Sequence, residues 1–163
     1  MRLLKNKIAV ITGGGRGIGK AIASQYSKQG ATVVIAEFDE NSGKNTAEKI
    51  GGHFFKADIS DENGVSSLFD YVKTNFSCLD ILVNNAGVLD DSTLKKLKPD
   101  QFDNVIDVNL RGTYLCGKAA SDIMIQQEKG VILNAASVVA HNGNFGQTNY
   151  VASKTGVIGM TKV

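Results

Sequence analysis

The sequence is 163 residues long, with 42% apolar and 21% charged residues, which is typical of one globular domain and not of a disordered chain. Its formal net charge is +2 and its basic residues form no block, so the composition gives no support for binding to nucleic acid or to a membrane surface. Because no apolar stretch could span a membrane and the two cysteines, Cys78 and Cys116, lack a CxxC spacing, we expect a protein of the reducing cytoplasm.

Short apolar runs alternate with helical patterns through the first half of the chain. Continuous apolar residues predict a buried strand at 7–12, and further strands are predicted at 32–36 and 53–57. A helix is predicted from the glycine-rich turn after the first strand to about Gln29, and a polar helix follows the second strand from about 41 to 50.

Side-chain spacing refines two of these helical predictions. Ile18, Ile22 and Tyr26 are four residues apart and would share one apolar face of the first helix. Ser60 is a suitable N-cap for a third helix. The apolar stripe of that third helix is formed by Val65, Leu68, Phe69, Val72 and Phe76.

The second half of the chain continues the alternation. Strands are predicted at 81–83 and 131–135. A long helical region begins at Pro99 and runs to about Lys129, and a last helix begins near Tyr150 and is still running at the end of the sequence.

Strands and helices thus alternate five times along the chain. This pattern predicts an α/β fold in which a parallel sheet carries helices on both faces. No linker, repeat or low-complexity segment interrupts it, so we predict a single domain over residues 1–163.

A glycine-rich turn, Thr12–Gly19, joins the first strand to the first helix. Such a turn aims backbone N–H groups at an anion, the helix dipole adds favourable potential, and glycines admit a pyrophosphate closely. The glycine spacing differs from GxGxxG, so a tight turn without a ligand is an alternative. A second alternative is a P-loop over residues 14–20, which Ala21 weakens because that motif needs a hydroxyl at this position.

Glu37 ends the second strand, 18 residues after Gly19. A carboxylate at this place can accept hydrogen bonds from the adenosine ribose hydroxyls and repels a 2′-phosphate, which favours NAD over NADP. Arg16, inside the turn, would favour NADP by binding that phosphate. The alternative for Glu37 is a solvated charge at the entry to a helix.

Tyr150 and Lys154 are four residues apart and would lie on one face of the last helix. An ammonium beside a phenol stabilises the phenolate, so Tyr150 is a candidate general acid/base. Ser137, thirteen residues before Tyr150 and at the end of a strand, could hydrogen-bond the oxygen of a substrate.

The same spacing occurs once more, in Tyr114 and Lys118 inside the predicted long helix. No serine lies thirteen residues before Tyr114, so packing and solvation are the expected roles of that pair. For the Tyr150 pair, Ser137 and the Gly/Asn-rich segment 141–147 favour a functional role instead.

Taken together, these motifs resemble the short-chain dehydrogenase/reductase family along the whole chain. They occur in the order of the family: Thr12–Gly19, Asp58, Asn84-Asn85-Ala86-Gly87, Asn109, Ser137, Tyr150 and Lys154. The resemblance implies a Rossmann-like, doubly wound parallel sheet of five strands in the order 3-2-1-4-5, and an NAD(P)-dependent oxidoreductase.

The resemblance also implies catalytic roles. Tyr150 would be the general acid/base, and Lys154 would support it and hold the nicotinamide ribose. Ser137 would orient the carbonyl, and Asn109 would anchor a water that relays protons. Taken singly, Asn109 could equally be a polar residue inside a helix.

Further residues are implied as contacts of the NAD or NADP cofactor. Asp58 and Ile59 would meet the adenine, and Asn85 would lie along the cofactor, although Asp58 alone could be a helix N-terminal charge. The full set is Gly13, Gly15, Arg16, Gly17, Ile18, Gly19, Glu37, Asp58, Ile59, Asn85, Ala86, Gly87, Tyr150 and Lys154. No metal ligand is predicted.

The segment 143–154, together with 156–162, is similar to that of bacterial 3-oxoacyl-(acyl-carrier-protein) reductases. This implies a small-molecule or acyl-thioester carbonyl as the substrate. Sugar, polyol, acetoin and steroid dehydrogenases share much of the pattern and are alternatives.

Members of the family continue beyond this length with a sixth strand, a substrate loop and a seventh strand. We therefore expect a dinucleotide-binding domain that is incomplete at its C-terminal end, with uncovered apolar faces on the fourth and fifth strands and the last helix. The long helix after Asn109 and the helix of Tyr150 form a dimer interface in the family, which implies a homo-oligomer. The alternative is a dinucleotide-binding or interaction remnant with little or no turnover.

Overall fold

The structure is a computed structural model that describes residues 2–163. Within these residues the strands are β1 (Ile8–Thr12), β2 (Thr32–Glu37), β3 (His53–Lys56), β4 (Ile81–Asn84) and β5 (Val131–Asn134). The α-helices are α1 (Gly17–Lys28), α2 (Glu40–Ile50), α3 (Glu62–Asn75), α4 (Pro99–Ile106), α5 (Gly112–Gln126), α6 (Val139–Asn142) and α7 (Thr148–Thr161). A π-helical turn, Asp107–Arg111, joins α4 to α5.

The strands form one parallel sheet in the order β3-β2-β1-β4-β5, which confirms the predicted fold and strand order. Val10 of β1 pairs with Val34 of β2 on one side and with Leu82 of β4 on the other. The strand order reverses between β1 and β4, and the crevice outside the carboxyl ends of the strands at such a switch point is where α/β sheets bind ligands.

The core lies on both faces of this sheet because successive side chains of a strand point to opposite faces. Val10 belongs to the apolar cluster that includes side chains of α3 and α5, and its neighbour Ile11 belongs to the cluster that includes side chains of α1 and α2. Both residues are fully buried, as continuous apolar strands in a doubly covered sheet should be.

The N-cap of α3 differs from the prediction. It is Asp61, whose carboxylate accepts a hydrogen bond of 2.9 Å from the backbone N–H of Gly64. Ser60 donates its hydroxyl to Oδ1 of Asp58 at 2.6 Å, so this hydroxyl serves the preceding loop and does not cap the helix. Both residues are suitable caps by type, and the tertiary path of the loop selects between them.

The expected apolar face of α1 is also only partly correct. Ile22 and Tyr26 pack against the core, but the side chain of Ile18 is 74% exposed. Ile18 occupies the first turn of α1, where it lines a cleft at the carboxyl edge of the sheet instead of the core.

The long helical region is not one regular helix. It is interrupted by the π-helical turn at Asp107–Arg111, and α5 ends at Gln126, before the left-handed residue Glu128 with its φ of 55°. The short helix α6 lies inside the segment expected as a loop, and α7 begins at Thr148, two residues before Tyr150.

Of the two strands that were predicted to have uncovered apolar faces, only β5 has one. In β5, an edge strand, Val131 is 53% exposed and Leu133 is 44% exposed. The expectation of an uncovered fourth strand is wrong, because Leu82 and Val83 of β4 are buried between the two helical layers. On α7, Val157 is buried, whereas Ile158 and Met160 are half-buried.

Two further findings concern the cysteines and the helices. Cys78 and Cys116 are free, and burial raises the pKa of the Cys116 thiol to about 12, so this side chain acts as a core residue. Among residues 2–163, no helix has both the length and the hydropathy needed to cross a membrane.

Candidate functional site

The glycine-rich turn lies at the carboxyl end of β1 and leads into the N-terminus of α1. Gly13 and Gly17 have φ angles of 64° and 54°, which glycine adopts readily and other residues rarely do. A Cβ on Gly13 would lie 2.8 Å from Cα of Ala86, whereas a Cβ on Gly17 would meet no atom within 4 Å. Gly13 therefore serves close packing inside the protein, and Gly17 leaves open space in front of the turn.

Two side chains hold this turn against the end of β4. The Thr12 hydroxyl accepts hydrogen bonds of 3.1 Å from the backbone N–H groups of Asn85 and Ala86. The Asn85 amide donates to the carbonyl oxygens of Thr12 and Gly13, also at 3.1 Å. A Cβ on Gly19 would clash with both the Gly13 carbonyl and the Asn85 amide, so this packing requires glycine.

These contacts change the interpretation of Asn85 and of Thr12. The Asn85 side chain holds the protein turn and Asn85 also lines the cleft, so its place along the cofactor stays a prediction. Thr12 was not among the predicted site residues, although a hydroxyl at the end of a buried strand, next to a glycine turn, is a signal that sequence reasoning could have used.

A cleft of about 310 Å³ opens where β1, β2 and β4 end. It contains seven of the predicted cofactor-binding residues. Val88 and Val108 also line it and were missed, because a single valine has no pattern that separates a cleft wall from a core position. The lining residues are Gly13, Arg16, Ile18, Glu37, Asn85, Ala86, Gly87, Val88 and Val108.

Glu37 lies at the inner side of this cleft and is only 8% exposed. Its Oε2 accepts a hydrogen bond of 3.0 Å from the backbone N–H of Gly15, and its Oε1 accepts from the N–H groups of Phe38 and Asp39 at 3.0 and 3.3 Å. The interpretation of Glu37 as a solvated helix-entry charge is therefore wrong. It is a buried carboxylate held by backbone donors.

The predicted adenine contacts lie outside the residues that line the cleft. Asp58 is exposed, and its Oδ1 accepts hydrogen bonds from the backbone N–H and the hydroxyl of Ser60 at 2.9 and 2.6 Å. The side chain of Ile59 is buried in the core, where its Cδ1 would lie 2.8 Å from a Cβ on Gly112. The adenine contacts of Asp58 and Ile59 stay predictions.

The predicted proton-transfer pair is brought together on α7. Lys154 is 4% exposed, its Nζ donates a hydrogen bond of 2.7 Å to the carbonyl oxygen of Ala135, and it lies 5.8 Å from the centroid of the Tyr150 ring. Burial lowers the pKa of Lys154. The structure thus places a buried ammonium beside the Tyr150 ring.

Asn109 lies in the π-helical turn and is fully buried. Its Oδ1 accepts a hydrogen bond of 2.8 Å from the Val88 N–H, and its Nδ2 donates to the Val88 carbonyl at 3.0 Å and to Oγ of Ser153 at 3.2 Å. A Cβ on Gly87 would lie 3.2 Å from Oδ1 of Asn109 and 3.6 Å from Nζ of Lys154. The end of β4, Asn109 and Lys154 thus form one contiguous cluster.

The side-chain amide of Asn109 is engaged by these protein contacts. Its backbone carbonyl accepts a hydrogen bond of 2.8 Å from the Thr113 hydroxyl, and its role as the anchor of a water stays a prediction. π-Helical turns of this kind are frequent at functional sites.

Ser137 follows β5 at the same edge of the sheet, two residues after the carbonyl that binds Lys154. Its Oγ is half-buried and accepts a long hydrogen bond of 3.4 Å from the Val139 N–H at the start of α6. By contrast, Lys118 is exposed on α5, which agrees with its predicted solvation, whereas Tyr114 is 51% exposed and is not the packed side chain that was predicted.

Comparison with known proteins adds a family and relatives. The profile of the short chain dehydrogenase family matches residues 7–163. The 3-oxoacyl-[acyl-carrier-protein] reductase FabG of Staphylococcus aureus is 38% identical over 162 residues, which cover 96% of this chain and 66% of the relative. The FabG proteins of Salmonella typhimurium and Thermotoga maritima are 37% and 38% identical, over 97% and 98% of this chain.

The chain spans about two thirds of the length of these relatives, 66% for the Staphylococcus and Salmonella proteins and 67% for the Thermotoga protein. The matched residues include the glycine turn, the cleft and the Tyr150–Lys154 pair.

Proposed function

The chain belongs to the short-chain dehydrogenase family, and from that premise we propose that the protein transfers a hydride between a nicotinamide dinucleotide and a carbonyl or alcohol substrate. The observation that carries the proposal is the buried Lys154 ammonium, which lies beside the Tyr150 ring. The cluster that Lys154 forms with Asn109 and the end of β4 connects it to the glycine-lined cleft. A proton donor and an anion-binding turn at one edge of a sheet are the two parts that such a reaction needs.

The residues of the cleft fit a dinucleotide. The turn before α1 presents backbone N–H groups and the positive end of the helix dipole, and the open space in front of Gly17 admits a phosphate closely. Glycine turn, Glu37 and the 85–88 segment would hold the cofactor, which supplies or accepts the hydride when bound.

The remaining steps fall to side chains of α7 and of the segment after β5. Tyr150 would donate a proton to the carbonyl oxygen during reduction and take it back during oxidation. Lys154 would stabilise the phenolate that is left, and Ser137 would hold the substrate oxygen by a hydrogen bond. Asn109 would keep Val88 and the neighbouring cleft wall in place while its backbone carbonyl holds a proton-relay water.

NAD is the proposed cofactor because the cleft contains the negative charge of Glu37. Glu37 is a buried carboxylate at the end of β2, where it would accept hydrogen bonds from ribose hydroxyls and repel a 2′-phosphate. Arg16 lines the same cleft and is exposed, so its charge is partly screened by water.

For the substrate we propose a 3-oxoacyl thioester. The support is the similarity of residues 143–162 to 3-oxoacyl-(acyl-carrier-protein) reductases, together with the names of the relatives. We also propose a homo-oligomer, because α5 presents exposed apolar side chains, Tyr114 and Ile125, at 51% and 73% exposure.

The test is a reduction assay on the purified gene product with an acetoacetyl thioester and NADH, followed by the loss of reduced-nicotinamide absorbance. We expect turnover in the wild type and a fall in kcat of at least about 100-fold in Tyr150→Phe, with the Kd for NADH nearly unchanged. Tyr114→Phe is the matched control and should retain full activity. A wild type that binds NADH but reduces no carbonyl would instead support a dinucleotide-binding protein without turnover.

A further inference from the structure

Asn149, the residue directly before Tyr150, is fully buried and binds three different parts of the backbone. Its Nδ2 donates to the carbonyl oxygen of Asp90 at 2.8 Å and to that of Gln101 at 3.3 Å. Its Oδ1 accepts a hydrogen bond of 2.9 Å from the backbone N–H of Tyr150. One carboxamide therefore links the first turn of α7 to the segment after β4 and to α4.

The segment before Tyr150 is attached to the same segment after β4 by other bonds. The backbone N–H of Ser92 donates to the carbonyl of Gly146 at 2.8 Å, and the side chain of Gln147 donates to Oδ2 of Asp91 at 2.8 Å. Ser92 and Gln147 also form a parallel β-bridge. Asn149 is the buried end of this attachment, where water cannot replace a lost hydrogen bond.

Residue Gln101 is itself held at this point. Its side-chain amide donates to Oδ1 of Asp90 at 2.6 Å, and its Oε1 accepts from the backbone N–H of Lys98 at 3.2 Å. The two carbonyl groups that Asn149 binds therefore belong to segments that are already tied to each other. They form a fixed base for the start of α7.

The Tyr150–Lys154 distance depends on two anchors. Lys154 is tied to β5 through the carbonyl of Ala135, and the backbone of Tyr150 is tied to Asp90 and Gln101 through Asn149. The Tyr150 ring and the Lys154 ammonium project from one helical turn between these anchors, and Nζ lies 5.8 Å from the ring centroid. Loss of the Asn149 hydrogen bonds would free the Tyr150 end of the turn, while the bond from Lys154 to Ala135 would stay in place.

We propose that Asn149 is a positioning residue, which orients the Tyr150 hydroxyl toward the reacting oxygen by fixing the start of α7 to the segment after β4 and to α4. The proposal rests on the proposed function for the step that is positioned. The contacts themselves do not depend on it. Asn149 touches neither cofactor nor substrate in this role.

The first test compares Asn149→Ala with Thr161→Val, a change at the other end of the same helix. Thr161 also makes two side-chain hydrogen bonds, to the Val157 carbonyl and from the Asn134 amide, outside the proposed site. We expect kcat to fall by about tenfold or more in Asn149→Ala, because small misplacements of an acid group are costly, while the Kd for NADH changes by no more than about twofold. Thr161→Val should keep the wild-type kcat.

Asn149→Asp is the second variant, in case Asn149→Ala does not fold. It preserves the shape and the acceptor for the Tyr150 N–H but removes the donor to Asp90 and Gln101. The proposal is overturned if either folded Asn149 variant keeps the wild-type kcat, or if kcat and the Kd for NADH change together as they would in a partly unfolded protein.

A second readout does not require turnover and separates this proposal from the proposed function. The ¹³Cζ resonance of Tyr150, assigned by its loss in Tyr150→Phe, reports the surroundings of the phenol in the intact protein. We expect this resonance to move in the Asn149 variants and to stay in place in Thr161→Val. A wild type without carbonyl reduction and with this pattern overturns the proposed function alone, and an unmoved resonance overturns the positioning role.

Discussion

Oε2 of Glu37 accepts a hydrogen bond of 3.0 Å from the backbone N–H of Gly15, which joins the end of β2 to the glycine-rich turn 22 residues earlier in the chain. The bond is buried, and a Cβ on Gly15 would lie 2.9 Å from the same carboxylate oxygen. The residue that would choose between NAD and NADP is therefore also part of the wall that shapes the turn.

We expect Glu37→Gln to reduce the discrimination between NAD and NADP by about tenfold, because it removes the negative charge while keeping the shape and one of the two acceptor oxygens. The measurement is the ratio of the two Kd values by calorimetry. Glu48→Gln, an exposed position on α2, is the matched control and should leave the ratio unchanged. A wild type that already prefers NADP would contradict the assignment of Glu37.

Gly17→Ala and Gly117→Ala form a matched pair, since a Cβ at either position meets no atom within 4 Å. Gly17 has a φ of 54°, so alanine should cost about 1 kcal/mol of stability, and its methyl group should obstruct a phosphate and weaken dinucleotide binding by at least about tenfold. Gly117 lies inside α5, where alanine should stabilise the protein by about 0.5–1 kcal/mol.

Urea unfolding and calorimetric titration of both glycine variants check these outcomes. Equal dinucleotide affinity in the two variants would show that the space in front of Gly17 is not a binding surface.

Asp80 should make the stability of the protein depend on acid pH. Burial alone raises the pKa of this carboxyl, but hydrogen bonds from Lys7, Ile8 and Cys78 outweigh burial and leave it below its ordinary value of 3.8. A carboxyl with a depressed pKa contributes stability above its unfolded-state value, and this contribution is lost as the pH falls through the folded-state pKa.

We therefore expect Asp80→Asn to destabilise the protein by about 2 kcal/mol at neutral pH, and the difference from the wild type to shrink below pH 3.8. The measurement is urea unfolding of both proteins at neutral pH and below pH 3.8. The exposed pair of Asp70 with Lys73, 3.7 Å apart, supplies the control, because Asp70→Asn should change stability by less than about 0.5 kcal/mol. A pH-independent difference would rule out the titration of Asp80 as the cause.

Lys154 should reduce the stability of the folded protein, because its ammonium is buried. Burial lowers the pKa of Lys154, so the unfolded chain binds more protons than the folded one between the folded-state pKa and the ordinary value of 10.5. The Lys154 contribution to stability therefore rises with pH across this window.

Lys154→Met should abolish carbonyl reduction. At neutral pH its free energy of unfolding should exceed that of the wild type by about 1 kcal/mol, because an apolar side chain fills the site without a buried charge. The advantage of the variant should shrink as the pH rises toward 10.5. Free energies of unfolding of both proteins at neutral and alkaline pH test this, and a variant that is clearly less stable at neutral pH would refute it.

Most of the fold could be predicted because its signals are local. The apolar runs of β1, β2 and β4 are buried on both faces and read as continuous hydrophobic strands in the sequence. The errors occur where local chemistry allows two answers. Ser60 and Asp61 are both good caps, and Ile18 has the spacing of a core residue although it lines the cleft.

The candidate site divides in a similar way. The glycine turn and the four-residue spacing of Tyr150 and Lys154 are visible in the sequence, because one chain segment carries each of them. Thr12 and Val88 were missed, since their contacts are made with residues far along the chain.

The sequence by itself determined the class of fold and the helical face that Tyr150 and Lys154 share, because hydrophobic periodicity and residue spacing act over a few residues. Only the tertiary structure decided that Glu37 is held by Gly15, that Asn109 supports Val88, and that Asn149 ties α7 to Asp90. These are hydrogen bonds between segments 21 to 59 residues apart, and such pairings arise only when the sheet and its two helical layers have packed.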